Sequence, residues 1–289
     1  MRSIPLLAVD ATDVFDEIAA AKHQPRRGRM QAARGDVLAA YQSYEDAVPE
    51  VGGLDEAQLT DLQKEAMRHA FTVETEPMTT LRGRLLKRIS VARCAFCGIS
   101  ESSTLDHYLP KEQYPEFSVF PKNLVPSCAV CNTRKRDRIL DEGTNVRMFL
   151  HPCYDVIPDV AFLVVRARME ADALILSYRL TRPAGMALRT FQHLLSHFNE
   201  LDLADRYRRM GLEHLGGQYP ALRRAYGSGE DAERVAEKLI EGAEDFEEVS
   251  GSNYWLAKLY RALAGNQDFC DGGFEAVRVQ AQPMRNGER

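Results

Sequence analysis

Four of the six cysteines in this 289-residue chain fall into two Cys-x-x-Cys pairs, "CAFC" (Cys94, Cys97) and "CAVC" (Cys128, Cys131). Two residues between thiols let both sulfurs of a pair converge on one ion, and four thiolates suit tetrahedral zinc. Disulfides are the competing use, but they belong to oxidising compartments and nothing in the sequence points to export. A thioredoxin-like redox motif would need a single pair beside a βαβ pattern, which is missing. Cys153 and Cys270 are read as ordinary buried cysteines. The 30 residues between Cys97 and Cys128 exceed what a minimal zinc ribbon needs, so something is inserted between the knuckles.

The insert contains "LDHYLPK", in which Asp106 stands directly beside His107. On a strand, neighbouring side chains point to opposite faces, so one of the pair can meet a metal while the other meets a water. Hydrolysis of a phosphodiester needs an activated water, an electrophilic clamp on the phosphate and stabilisation of the departing oxygen. His107 suits the general base, because imidazole is substantially deprotonated near neutral pH. Asp106 and Asn132 offer hard oxygens, suited to Mg²⁺ or Mn²⁺ with the remaining positions left to water and phosphate. A helix starting near Ala129 would place Asn132, Lys135 and Arg136 on one face, with Lys135 and Arg136 toward the same phosphates. A solvated basic helix is the alternative, and for Arg134 and Arg138 it is an equally good description.

The order Cys94-x-x-Cys97, Asp106-His107, Pro110-Lys111, Asn123-Leu124, Cys128-x-x-Cys131-Asn132 and Lys135 resembles the HNH endonuclease family, the ββα-metal or His-Me finger nucleases, in its zinc-stapled form. The match covers about sixty residues. It implies a structural zinc on the four cysteines, a catalytic Mg²⁺ or Mn²⁺ on Asp106 and Asn132, and His107 as general base. Asn123 takes the middle position, holding the loop and orienting His107. Lys111, Arg134, Lys135 and Arg136 would contact DNA. The third signature position is Asn132 where histidine is frequent, and asparagine is also used there. Long helical flanks around such a module are similar to nuclease subunits of bacterial anti-phage systems of the Septu type, which pair with an ATPase. The alternative is a zinc-dependent nucleic-acid-binding or scaffolding subunit that does not cut; such a binder has no need of a base beside two hard ligands.

The elements that must position these residues follow from periodicity. Residues 1–90 read as about four helices, with Val14, Ile18 and Ala21 behind a Thr12 or Asp13 cap and a second stripe of Met30, Val37, Leu38, Tyr41 and Tyr44. Residues 91–155 form the zinc-stapled module. Residues 156–182 alternate as a β-hairpin turning near Glu170–Asp172. Helix returns over 183–272, and 273–289 is expected to be a loose tail. The fold class is therefore α+β, mostly helical, with a small ββα-metal module between two helical regions.

The net charge of −5 hides a local contrast. Five basic residues and no acid lie in 79–93 (Arg82, Arg84, Lys87, Arg88, Arg93), whereas Glu230–Glu248 is dominated by acids. Arg84 and Lys87 are thus candidates to extend a DNA path, and the acidic helices are left for a protein partner or a second copy of the chain. With 45% hydrophobic and 27% charged residues the composition is globular. The opening "MRSIPLLAVD" is too short in apolar residues for a signal peptide, and no window has the length of a membrane span. A cytoplasmic protein is expected.

Overall fold

The computed structural model describes residues 3–87, 93–141, 143, 146–229 and 231–277. The chain forms two compact units, Met1–Ile157 and Pro158–Arg289.

In the first unit four helices precede the cysteine-rich segment: α1 (Ala11–Ala20), α2 (Arg26–Ala47), α3 (Asp61–Thr72) and α4 (Glu76–Lys87). The cap of α1 is Asp10, whose carboxylate accepts from the Thr12 and Asp13 amides, so the cap lies before the residues that composition suggested. A capping box of Thr60 and Gln63 starts α3. On α2 the residues Met30, Ala33, Val37, Tyr41 and Tyr44 are buried at three- and four-residue steps, the spacing of one helix face. Tyr41 stacks on Phe120 at 4.0 Å between ring centres, and Tyr44 meets the edges of Phe117 and Phe120 at 5.2 Å. These aromatic pairs seat the 108–123 loop on α2.

Two short antiparallel strands follow, β1 (Thr104–His107) and β2 (Leu124–Ser127), with Asp106 opposite Val125 and His107 opposite Leu124. Helix α5 (Ala129–Lys135) then packs on β1. The order β1, β2, α5 is the ββα arrangement expected of the segment.

The second unit opens with a hairpin, β3 (Leu163–Glu170) and β4 (Ala173–Leu180), paired from Leu163↔Leu180 to Glu170↔Ala173. Its turn falls at Ala171–Asp172, as the alternation predicts. Leu163, Leu174, Leu176 and Tyr178 are buried. The helices α6 (Leu188–Glu200), α7 (Leu203–Tyr226), α8 (Ala232–Ser250), α9 (Trp255–Ala264) and the short α10 (Gln267–Cys270) complete the unit. Tyr207 of α7 stacks on Trp255 of α9 with ring centres 5.6 Å apart. Gly211 lets α7 approach the hairpin closely: a Cβ there would stand 3.1 Å from Leu259 and from the Tyr178 hydroxyl. Part of the expected loose tail is packed, since Phe274 and Val277 are fully buried; 278–289 lie outside the described residues. No helix among the described residues is long and apolar enough to cross a membrane.

Candidate metal centre and catalytic pocket

The four cysteines of the two knuckles meet. All are buried, none is in a disulfide, and their sulfurs lie within 4.8 Å of one another. Cys97 Sγ and Cys128 Sγ are 4.0 Å apart. A tetrahedral ion with Zn–S bonds of about 2.3 Å would set its sulfurs about 3.8 Å apart, so the cluster has the size of a closed zinc site. The backbone is shaped for it. Gly98 adopts φ +68° just after the first pair, the Gly98 amide donates to the Cys94 carbonyl, and the Ile99 amide donates to Cys97 Sγ. At the second knuckle the Cys131 amide donates to Cys128 Sγ at 3.4 Å. Such amide–sulfur contacts stabilise thiolate charge. Contacts with Cys131 and then Cys94 pull the Cys128 thiol down to about 6. The same crowding, through Cys128 first, pushes Cys94 and Cys131 upward. The four sulfurs thus share protons that a divalent cation would replace. Of the two remaining cysteines, Cys270 is buried as expected and Cys153 only half-buried.

Asp106 and His107 diverge at the end of β1. Thr104 and Asp106 share the face covered by α5, and His107 points the other way. His107 Nε2 lies 2.9 Å from the Ser118 carbonyl, and its ring meets the edge of Phe71 of α3 at 4.2 Å. A carbonyl can only accept, so Nε2 carries the proton and Nδ1 keeps the lone pair of a base. Burial lowers the imidazole pKa to about 3, opposed by the Ser118 carbonyl and reinforced by Lys111, Lys135 and Arg82 nearby. The ring is therefore neutral across the physiological range.

On the other face, Asp106 is 1% exposed, and burial lifts its carboxyl to about 6 against the pull of Lys135. Lys135 Nζ stands 3.2 Å from Asp106 Oδ2 and donates to the His107 carbonyl at 2.8 Å. The ion-pair distance is met, yet Oδ2 has no well-aligned hydrogen-bond donor. Asn132 lies above the same strand face, its Nδ2 3.4 Å from Thr104 Oγ1. Asp106 and Asn132 thus offer oxygens of the kind a small hard cation takes, one on the strand face and one above Thr104 of that face. Lys135 already supplies positive charge there, so an incoming ion must share or displace it.

Two expected positions come out differently, and a third residue takes the structural role. Lys135, expected at the phosphates, is 1% exposed, held by Asp106 and by the faces of Tyr108 and Phe149. Arg136 does not continue the face of Asn132 and Lys135, because α5 ends at Lys135 and Arg136 turns to φ +53°, exposed. His151, a neighbour in sequence, is fully buried, with Nε2 3.0 Å from the Tyr44 hydroxyl and the Cys153 amide on Nδ1, which is a packing role.

Asn123 is fully buried and closes the loop: its Oδ1 accepts from the Leu109 amide and its Nδ2 donates to the Leu109 carbonyl. Lys111 pairs with Glu112 at 2.6 Å, and Arg134 is half-buried. Arg84 and Lys87 are exposed on α4, Arg84 donating to the Ala8 carbonyl. Of the other basic residues in 79–93, Arg82 pairs with Glu74 and lies over Phe71, and Arg93 donates to the Ile99 carbonyl beside the first knuckle. Arg88 lies outside the described residues. Ser118, Phe71 and Lys135 as a buried counterion were not legible in sequence. Ser118 contributes only a backbone carbonyl, and Phe71 comes from a helix 36 positions earlier.

No family model matches the chain, and no solved structure matches it. A stretch of 86 residues is 33% identical to the Septu protein PtuB of Bacillus thuringiensis, covering 28% of this chain and 31% of that protein. A longer match, 30% identical over 241 residues, joins the chain to protein ea31 of Escherichia phage lambda and covers 77% of this chain and 76% of that protein. At that identity and coverage, the chain belongs to the family of phage lambda protein ea31.

Proposed function

We propose that the chain is a metal-dependent endonuclease of the HNH type that hydrolyses DNA, leaving 5′-phosphate and 3′-hydroxyl ends. The observation that carries this is the split pair at the end of β1. His107 has Nε2 spent on the Ser118 carbonyl and Nδ1 left as a base, while Asp106 turns to the opposite face, the one on which Asn132 meets Thr104. A Mg²⁺ or Mn²⁺ held by Asp106 and Asn132 would neutralise charge on the scissile phosphate and leaving oxygen. Asn123 keeps the loop closed so that Ser118 faces His107. The four cysteines hold zinc as a staple and take no part in chemistry. Lys111, Arg134 and Arg136 flank the pocket, and Arg84 with Lys87 extends the path for DNA.

The similarity to PtuB supports a place in anti-phage defence, with an ATPase subunit or a second copy of the chain as partner. A zinc-stapled subunit that binds nucleic acid without cutting has one observation in its favour, the Lys135 ammonium against Asp106. Cleavage of plasmid, single-stranded and phage DNA with Mg²⁺ and with Mn²⁺, with and without the product of a neighbouring gene, separates the two. Metal-dependent cutting lost in His107→Ala supports the nuclease. Binding without cutting under every condition leaves the scaffold.

A further inference from the structure

The β3–β4 hairpin has two unlike faces. One is buried through Leu174, Leu176 and Tyr178 against α7 and α9. The other is exposed and carries Arg166 and Arg168 on β3 and Arg179 on β4, with Ser177 opposite Arg166 and Ile175 opposite Arg168. The only acid on that face is Glu170, paired with Arg168 at 2.9 Å. Arg166 and Arg179 have no acidic partner among the described residues.

A merely solvated face mixes its charges, as α8 and α9 do where Arg261 meets Glu247 at 2.6 Å. Here three cations face one anion, and every cation is arginine, whose planar fork matches phosphate oxygens in pairs. Residues two apart on a strand are about 6.6 Å apart, and neighbouring strands about 4.8 Å, so the three guanidiniums form a compact strip. The shape also selects a polymer. The major groove of B-form DNA, about 12 Å wide, admits a two-stranded ribbon, whereas the deep, narrow groove of A-form RNA does not.

We propose that the outer face of this hairpin is a second binding surface for double-stranded DNA, laid in the major groove with Arg166, Arg168 and Arg179 on phosphates and Ser177 and Ile175 toward base edges. The identity of the polymer rests on the nuclease reading; the surface does not depend on cutting.

The test uses the full chain without added Mg²⁺ or Mn²⁺, binding a labelled DNA duplex and the same sequence as duplex RNA over a series of salt concentrations. Replacing Arg166, Arg168 and Arg179 together by serine should weaken DNA binding at least about tenfold at low salt. It should also reduce the magnitude of the salt slope by about 2.7, the value for three phosphate contacts. Ser177→Glu, an exposed single change that leaves the buried layer untouched, should weaken binding in the same direction. Arg224→Ser, an exposed change on α7, should bind as the parent does. Absent DNA binding by the parent chain, an unchanged slope in the triple variant, an equal loss for Arg224→Ser, or an equal loss on duplex RNA each overturns the proposal. Cleavage is scored separately with Mg²⁺ and with Mn²⁺, with and without the neighbouring gene product: no cutting under any of these conditions, together with a lost slope in the triple variant, removes the nuclease reading and leaves the hairpin surface standing.

Discussion

Two clusters lie within forty residues of each other in the first unit and are built on opposite principles. The cysteine cluster is made of two local turns, each presenting its sulfurs through its own backbone amides, and needs tertiary structure only to bring the turns together. The Asp106–His107 cluster has no local support. Ser118 accepts from the His107 ring, Lys135 stands at ion-pair distance from Asp106, and Phe71 packs on the imidazole, each from a different part of the chain. The first has the size of a closed coordination sphere, four buried sulfurs that could hold a metal ion. The second holds an imidazole and a carboxylate on opposite faces of a strand end, with a buried lysine beside the carboxylate. A cysteine knuckle can be local; this cluster has to be assembled.

The largest expected effect falls on the staple. Cys131→Ser, or removal of metal by a strong chelator, should abolish the cooperative melting of the first unit, since zinc binding contributes about 10–16 kcal/mol in zinc-finger peptides. Metal analysis of the purified chain should find stoichiometric zinc; its absence, or a disulfide among these cysteines, would erase the contrast between the clusters. The pocket should respond in activity and not in fold. His107→Ala should lower cleavage about 10²–10⁴-fold while zinc content and circular dichroism stay unchanged.

Lys135→Met tests the buried pair. Leaving the Asp106 carboxylate without its cation should cost about 3–5 kcal/mol by denaturant melting, and adding Asp106→Leu should recover most of that loss. If the single variant is as stable as the parent, Lys135 is not the counterion that the geometry makes it.

The smallest effect concerns Arg147, which holds both Asp155 oxygens at 2.8 Å and donates to the Tyr108 hydroxyl beside the pocket. Burial raises the Asp155 carboxyl, but Arg147 more than offsets this and holds it below the usual carboxylate value. A lowered folded pKa means stability that is present above the usual carboxylate range and lost as pH falls through and below it. Asp155→Asn should therefore flatten the acid side of the stability profile and cost about 1–2 kcal/mol at neutral pH.

Composition and spacing gave the two cysteine pairs, about four leading helices and a hairpin turning near Glu170–Asp172, and the family resemblance supplied the strand–strand–helix segment with Asp106 and His107 at a strand end. These are short-range matters: a two-residue spacer, a period of 3.6 or of 2, a turn. Tertiary structure decided what those residues face. Lys135 and Arg136 are adjacent in sequence and both basic, yet one is buried against Asp106 and the other exposed past the helix end. The cap of α1 moved to Asp10 for a similar reason: several short polar residues compete, and chain geometry selects among them. The base-like state of His107 depends on a carbonyl at Ser118, and every residue carries a carbonyl. No residue type marks it, so only the folded chain could place that acceptor against the ring.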